Sequence, residues 1–153
     1  MLETSENLLQ ESLAEALETM AFMMAMPPED ELPVPEQGTM VWMDFSGRVS
    51  GRAELLAGVE FIEMAAANIM GADPDDELVR SKGVDAFKEI LNTTCGVLLP
   101  KLADSHKDIF DVTVPESEDF SDPQKWTDYI NQDGVTVLDI DGFPLALRMT
   151  VTS

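Results

Sequence analysis

Three polar residues at helical spacing, Asp85, Glu89 and Asn92, are the part of this sequence best suited to chemistry. Gaps of four and three residues put them on one side of an α-helix, and Gly96 continues the same stripe four residues later. Carboxylates pair with cations, whereas an Asn amide can orient a water through its carbonyl oxygen but cannot act as a base at neutral pH. A glycine removes a side chain and lets another backbone approach. The polar face of any amphipathic helix offers similar residues. The stripe alone is therefore compatible with a functional site and with an ordinary solvent-exposed face.

The helix that must carry the stripe is predicted from residue 78 to residue 102 and is the longest helical segment of the chain. Gly83 is a point where it could bend, and Pro100 falls near its end. The acidic residues 73–77 suit a turn followed by a helix start. The apolar residues gather opposite the stripe: Val84, Phe87, Ile90, Leu91, Cys95, Leu98 and Leu102.

The remaining segments alternate between helical and strand patterns. Before the long helix, we predict an amphipathic helix over 5–24 with a methionine-rich end that belongs to the core, a solvated loop over 27–37, strands over 39–46 and 52–57, and a helix over 58–70 that Gly71 closes. After the long helix, we predict a strand over 109–114 that ends at Pro115 and an acidic polar segment over 116–132 with a short helix near Trp126. The last two predicted strands, over 135–140 and 145–151, are joined by a turn at Asp141-Gly142. This order predicts an α+β fold with an antiparallel sheet.

Length and composition favour one domain over residues 1–153, since 44% of the residues are hydrophobic and can form a core. The formal net charge of −21 argues against nucleic acid and against anionic membrane surfaces as partners. The acids are spread along the chain, which favours a role in solubility, with a basic partner as the alternative. We find no signal-peptide pattern and no span long enough for a bilayer, so we expect a cytoplasmic protein.

The other residues that could carry chemistry fit structural roles better. Cys95 lies on the apolar side of the predicted helix, and His106 has no Ser or Cys arrangement around it that would form a triad. As the single cysteine, Cys95 also excludes an intramolecular disulfide. The acids of segments 73–77 and 139–142 lack a complete EF-hand pattern, so we expect no tightly held metal.

When Pro115 is included, the pattern of the stripe resembles the signature of the CheC/CheX/FliY family of chemotaxis phosphatases. That signature is Asp or Ser, three residues, Glu, two residues, Asn, twenty-two residues and Pro, and every spacing is met by Asp85, Glu89, Asn92 and Pro115. The segments EALETMAFMM, FSGRVSGRAELL, NIMG and DAFKEILNTTCG also follow one another as in CheX-like proteins. Only one copy of the Glu-x2-Asn motif is present, which resembles CheX rather than the two-motif CheC.

The resemblance implies a phosphatase that hydrolyses the aspartyl phosphate of a CheY-like receiver domain. It implies that Asn92 positions the attacking water and that Glu89 pairs with the receiver's lysine, while Asp85 and Gly96 support docking and Pro115 is structural. It also implies that Mg²⁺ arrives with the phosphorylated partner, that long helices pack on one side of the sheet, and that the chain is a homodimer.

Two other function classes remain open at this point. A receiver-binding adaptor on the same fold would dock without turnover, although an intact Glu89 and Asn92 pair favours the enzyme. An interaction domain with no phosphorylated partner would use its acidic surface for solubility alone.

Overall fold

The computed structural model describes residues 2–103 and 108–152, so His106 lies outside the described residues. Four helices and seven strands alternate along the chain: α1 Leu2–Ala21, β1 Ala25–Met26, β2 Gly38–Ser46, β3 Ser50–Gly58, α2 Val59–Met70, α3 Glu77–Leu102, β4 Asp111–Val112, β5 Glu116–Phe120, α4 Pro123–Ile130, β6 Thr136–Ile140 and β7 Phe143–Thr152. None of these described helices has both the length and the apolar character needed to cross a bilayer.

The strands form one antiparallel sheet in the order β1-β6-β7-β3-β2, and both β4 and β5 pair with the outer side of β2. The β2–β3 and β6–β7 pairs are hairpins. Asp141 and Gly142 both have positive φ values, of 52° and 92°, which is the geometry of a tight two-residue hairpin turn. The predicted α+β class with an antiparallel sheet is therefore confirmed.

Both faces of the sheet are covered. One face carries Val41, Met43 and Phe45 of β2 into the main hydrophobic cluster, which is shared with α1, α2 and α3. The opposite face is covered by α4, whose Trp126 and Tyr129 pack in a second cluster of buried residues. The long helices lie on one side, as predicted, and only the short helix α4 lies on the other.

Helix α3 forms where the sequence predicts it and remains continuous through Gly83 and Pro100. The side chain of Asp76 caps its start by accepting a hydrogen bond from the Leu78 N–H at 2.9 Å. Gly83 packs against α2, since a Cβ there would lie 3.1 Å from a methyl carbon of Ile62. Gly83 therefore allows two helices to approach closely, and it does not interrupt the helix.

Three local predictions are wrong. Helix α1 ends at Ala21 rather than at residue 24, because Phe22 adopts a left-handed φ of 54° and the Ala21 carbonyl accepts a hydrogen bond from Asn68 at 2.8 Å. As a result, Met23 is buried in the core as predicted, but Met24 and Met26 are exposed. The strand predicted over 109–114 shrinks to the two residues of β4. The acidic segment after it forms strand β5 as well as the expected helix at Trp126, because residues 116–120 pair with the edge of β2.

Candidate functional site

The structure brings four of the five predicted residues to one cleft. Asp85, Glu89 and Asn92 line one wall from α3, and Pro115 lines the other wall, around a space of about 340 Å³. Asn92 and Pro115, which are far apart in the sequence, therefore lie in the same cleft. Gly96 is exposed on the same stripe but does not line the cleft.

The three polar side chains on α3 are exposed and have no hydrogen-bond or ion-pair partner among the residues of segments 2–103 and 108–152. The opposite side of the helix holds the buried residues Phe87, Ile90 and Leu91, so the backbone that presents the stripe is fixed by core packing. Like charges four residues apart in a helix repel, at a cost of about 0.2–0.5 kcal/mol. The Asp85 and Glu89 pair therefore does not stabilise this helix, and both carboxylates remain available to an external group.

Gly96 presents bare backbone one turn beyond Asn92. A Cβ at this position would have nothing within 4 Å, so the chain itself makes no use of the missing side chain. Pro100 lies four residues later inside α3 and has no N–H to donate to the Gly96 carbonyl. The carbonyl oxygen is therefore without its usual helical partner on the exposed stripe, which suits the close approach of a second molecule.

The second wall of the cleft is a β-bulge in the chain that runs along β2. Trp42 pairs with Glu116 and Phe45 pairs with Val112, so two residues of β2 face the three residues 113–115 of the outer chain. Thr113 anchors the bulge, because its N–H donates to the Asp44 carbonyl and its hydroxyl accepts from the Asp44 N–H, both at 2.9 Å. Pro115 cannot donate a ladder hydrogen bond, which suits its place in the bulge.

Four further residues that the sequence pattern does not predict also line this cleft: Lys88, Val112, Thr113 and Val114. Lys88 could have been found, since it lies three residues after Asp85 and four before Asn92 and so shares their side of the helix. The apolar wall could not have been found from the sequence, because the strand predicted over 109–114 gave no sign of a bulge at Pro115.

Other chemistry at this site is restricted. Cys95 is buried, and that burial raises the pKa of its thiol to about 12, so the thiolate is negligible at neutral pH. Across the described ranges, no group of three or more His, Cys, Asp or Glu side chains is arranged to hold a metal ion. The cleft therefore offers an amide, carboxylates, an ammonium group and apolar surface.

Comparisons with known proteins agree on one family. The family model described as "Chemotaxis phosphatase CheX" matches residues 39–122, which is more than half of the chain. CheX from Vibrio vulnificus superimposes with a TM-score of 0.70 at 17% identity, covering 95% of each chain. The CheX of a CheX–CheY–BeF3–Mg complex from Borrelia burgdorferi gives 0.66 at 18% identity, covering 96% of this chain and 97% of that chain. No functionally curated protein sequence matches.

Proposed function

Because the chain belongs to the CheX family of chemotaxis phosphatases, we propose that it hydrolyses the aspartyl phosphate of a CheY-like receiver domain. One observation carries the proposal. Glu89 and Asn92 are exposed, lack a partner among the described residues, and line the same cleft as Pro115. Receivers act in the cytoplasm, so this function also requires a cytoplasmic location.

The proposed chemistry is the positioning of a water molecule. An acyl phosphate is already activated, so the main remaining requirement is a nucleophile held in line with the phosphorus. Asn92 would insert into the receiver's site and accept a hydrogen bond from the attacking water through its side-chain carbonyl oxygen. Positioning of this kind can lower a barrier by several kcal/mol, and by about 7–11 kcal/mol in the best cases.

Glu89 would set the register of the complex. It lies three residues before Asn92 on the exposed side of α3, so an ion pair between its carboxylate and the receiver's lysine would orient Asn92 toward the phosphoryl group. Asp85 would support docking at the near end of the stripe, and the bare backbone at Gly96 would do so at the far end. The Mg²⁺ needed to balance the phosphoryl charge would arrive with the receiver.

Support for a receiver as partner comes from a relative. The Borrelia burgdorferi CheX was solved in a complex with CheY, BeF3 and Mg²⁺. Beryllofluoride imitates a phosphoryl group, so the composition of that complex fits a partner that carries a phosphoryl group. The adaptor alternative, in which this chain docks without turnover, shares the partner and differs only in the rate of phosphate loss.

The two proposed roles separate in steady-state kinetics. We expect Asn92→Ala to lower kcat about 100-fold or more with little change in KM, because the water loses its positioning group. We expect Glu89→Gln, which keeps the shape and removes the charge, to raise KM and lower kcat together. The measurement is the decay of phosphorylated receiver domains from the same genome over a range of receiver concentrations.

Asn131→Ala is the matched control, since it removes an exposed amide at the end of α4, on the opposite side of the sheet from α3. We expect this variant to retain wild-type kinetics. Equal rates for wild type and Asn92→Ala would exclude the assigned mechanism.

A further inference from the structure

The bulge beside the candidate site exposes apolar side chains that the fold does not need to expose. Val114 is 82% exposed and Val112 is 49% exposed, although large aliphatic side chains are normally favoured in the interior. Both line the same cleft as Glu89 and Asn92. The two hydrogen bonds between Thr113 and Asp44 fix the residue between them, so this wall is held in place before any partner arrives.

We propose that Val112 and Val114 form the apolar half of the surface that docks the phosphorylated receiver, an inference that rests on the proposed function. The polar stripe on α3 would engage the charged groups around the phosphoryl, while the two valines would bury against apolar residues at the rim of the same receiver site. A buried apolar patch beside a few directed polar contacts is the usual composition of a specific interface.

Charge argues for a receiver and against a second copy of this chain on the same surface. Strand β5 continues directly from the bulge and carries Glu116, Glu118 and Asp119. A symmetric pair of copies built on this edge would bring these carboxylates face to face, and like charges opposite one another are destabilising. A receiver that supplies a lysine for Glu89 does not face that repulsion.

Replacing valine by threonine isolates the apolar contact, because the two side chains have the same shape and threonine is equally suited to a strand. In the free chain the new hydroxyls at residues 112 and 114 would be solvated, so the fold should be unaffected. Val34→Thr is the matched control: it makes the same change at a residue that is 51% exposed in the loop before β2, away from the cleft.

The experiment measures the affinity of each variant for a receiver domain activated with beryllofluoride and Mg²⁺, together with turnover of the phosphorylated receiver. We expect each single substitution to raise Kd about threefold and the double variant to raise it about tenfold, with kcat near the wild-type value. Val34→Thr should leave Kd unchanged.

One result would overturn the docking surface: a double variant with wild-type affinity for the receiver. If that variant also loses self-association, the two valines belong to a contact between copies of the chain. A wild-type chain that binds the receiver without speeding phosphate loss would contradict the proposed catalysis alone. In that case the docking surface is still decided by the Kd of the double variant. A wild-type chain that binds no receiver would contradict both.

Discussion

Asn92 and Glu89 lie less than one turn apart on the same exposed side of α3, yet their chemistry separates their proposed roles. An amide can direct a water but cannot take its proton, whereas a carboxylate can hold a cationic group of the partner. Neither side chain has a partner among the described residues of its own chain. Both side chains are therefore free to contact a second molecule.

Lys88 adds a positive charge to a cleft in a chain whose formal net charge is −21. We expect Lys88→Gln to raise KM for the phosphorylated receiver several-fold, because a cation at the cleft attracts the phosphoryl group against the overall repulsion. The increase should shrink at high salt, since exposed charges are screened within about 10 Å at 0.1 M. The measurement is KM at low and high ionic strength.

Lys82→Gln is the control for this prediction. Lys82 lies on the same helix and is exposed, but it does not line the cleft. Its substitution therefore changes the net charge by the same amount as Lys88→Gln without removing the cation at the site. Equal effects from the two variants would assign the behaviour to total charge rather than to the cation at the site.

At the scale of elements, the sequence pattern predicted the features that depend on apolar packing and local turn chemistry. It missed the feature that depends on pairing between distant strands. The buried face of α3, the β2–β3 hairpin and the Asp141-Gly142 turn follow from apolar spacing and turn chemistry, and the structure confirms them. The bulge at 113–115 follows from pairing with β2, and this pairing leaves no local pattern because Asp44 and Thr113 are 69 residues apart in sequence. The stripe was therefore predictable from one helix, while the wall opposite it was not.

Helix α4 places the chain's single tyrosine against a buried charge. The Tyr129 hydroxyl donates to Glu54 at 2.9 Å, and Glu54 also accepts from Arg148 at 2.9 Å. Burial first, and then the negative charge of Glu54, raises the pKa of Tyr129 above its ordinary value. Because the folded pKa is raised, the stabilising contribution is complete below the unfolded pKa of about 10 and is lost as the pH rises above it.

We therefore expect the free energy of unfolding to fall above about pH 10, with Tyr129 remaining protonated in the folded chain where it ionises in the unfolded one. Since Tyr129 is the only tyrosine, phenolate absorbance at alkaline pH with and without denaturant reports on it alone. Tyr129→Phe should cost about 1.5–3 kcal/mol at pH 7, because the lost hydrogen bond has a carboxylate as its acceptor. A phenolate that titrates identically in the folded and unfolded chains would contradict the assignment.

At the scale of the molecule, the two edges of the sheet differ in chemistry. One edge is formed by β4 and the acidic strand β5, and the other by β1, next to Phe22 and Met24, which are 80% and 64% exposed. Strand β7 lies inside the sheet, between β3 and β6, and β1 pairs with β6 at Asp139 and Ile140.

The homodimer that the family resemblance implies stays a prediction, and the β1 edge is the described edge best suited to it, since its exposed side chains are apolar. We expect the wild-type chain to sediment as a dimer and Met24→Arg to sediment as a monomer, because the substitution would place two cations in the interface. Ile109→Arg adds the same charge at a residue that is 80% exposed near the opposite edge of the sheet, and this variant should remain dimeric. A wild-type chain that is monomeric at all accessible concentrations would contradict this prediction.

The organisation of residues 1–153 as one domain also remains a prediction, although one hydrophobic cluster draws on elements from α1 to β7. This continuity explains how residues 92 and 115 come to share a cleft: the core fixes α3 on one face of the sheet, and the chain after it returns along β2. The site is thus a product of the whole fold rather than of the helix that carries its motif.

The most direct test of the central claim is the release of phosphate from a large excess of phosphorylated receiver in the presence of a trace of this chain. Catalysis by Asn92 predicts many turnovers per chain for the wild type and a rate close to spontaneous decay for Asn92→Ala. A wild-type chain that binds the phosphorylated receiver and leaves its spontaneous decay rate unchanged would contradict the claim and identify the chain as an adaptor.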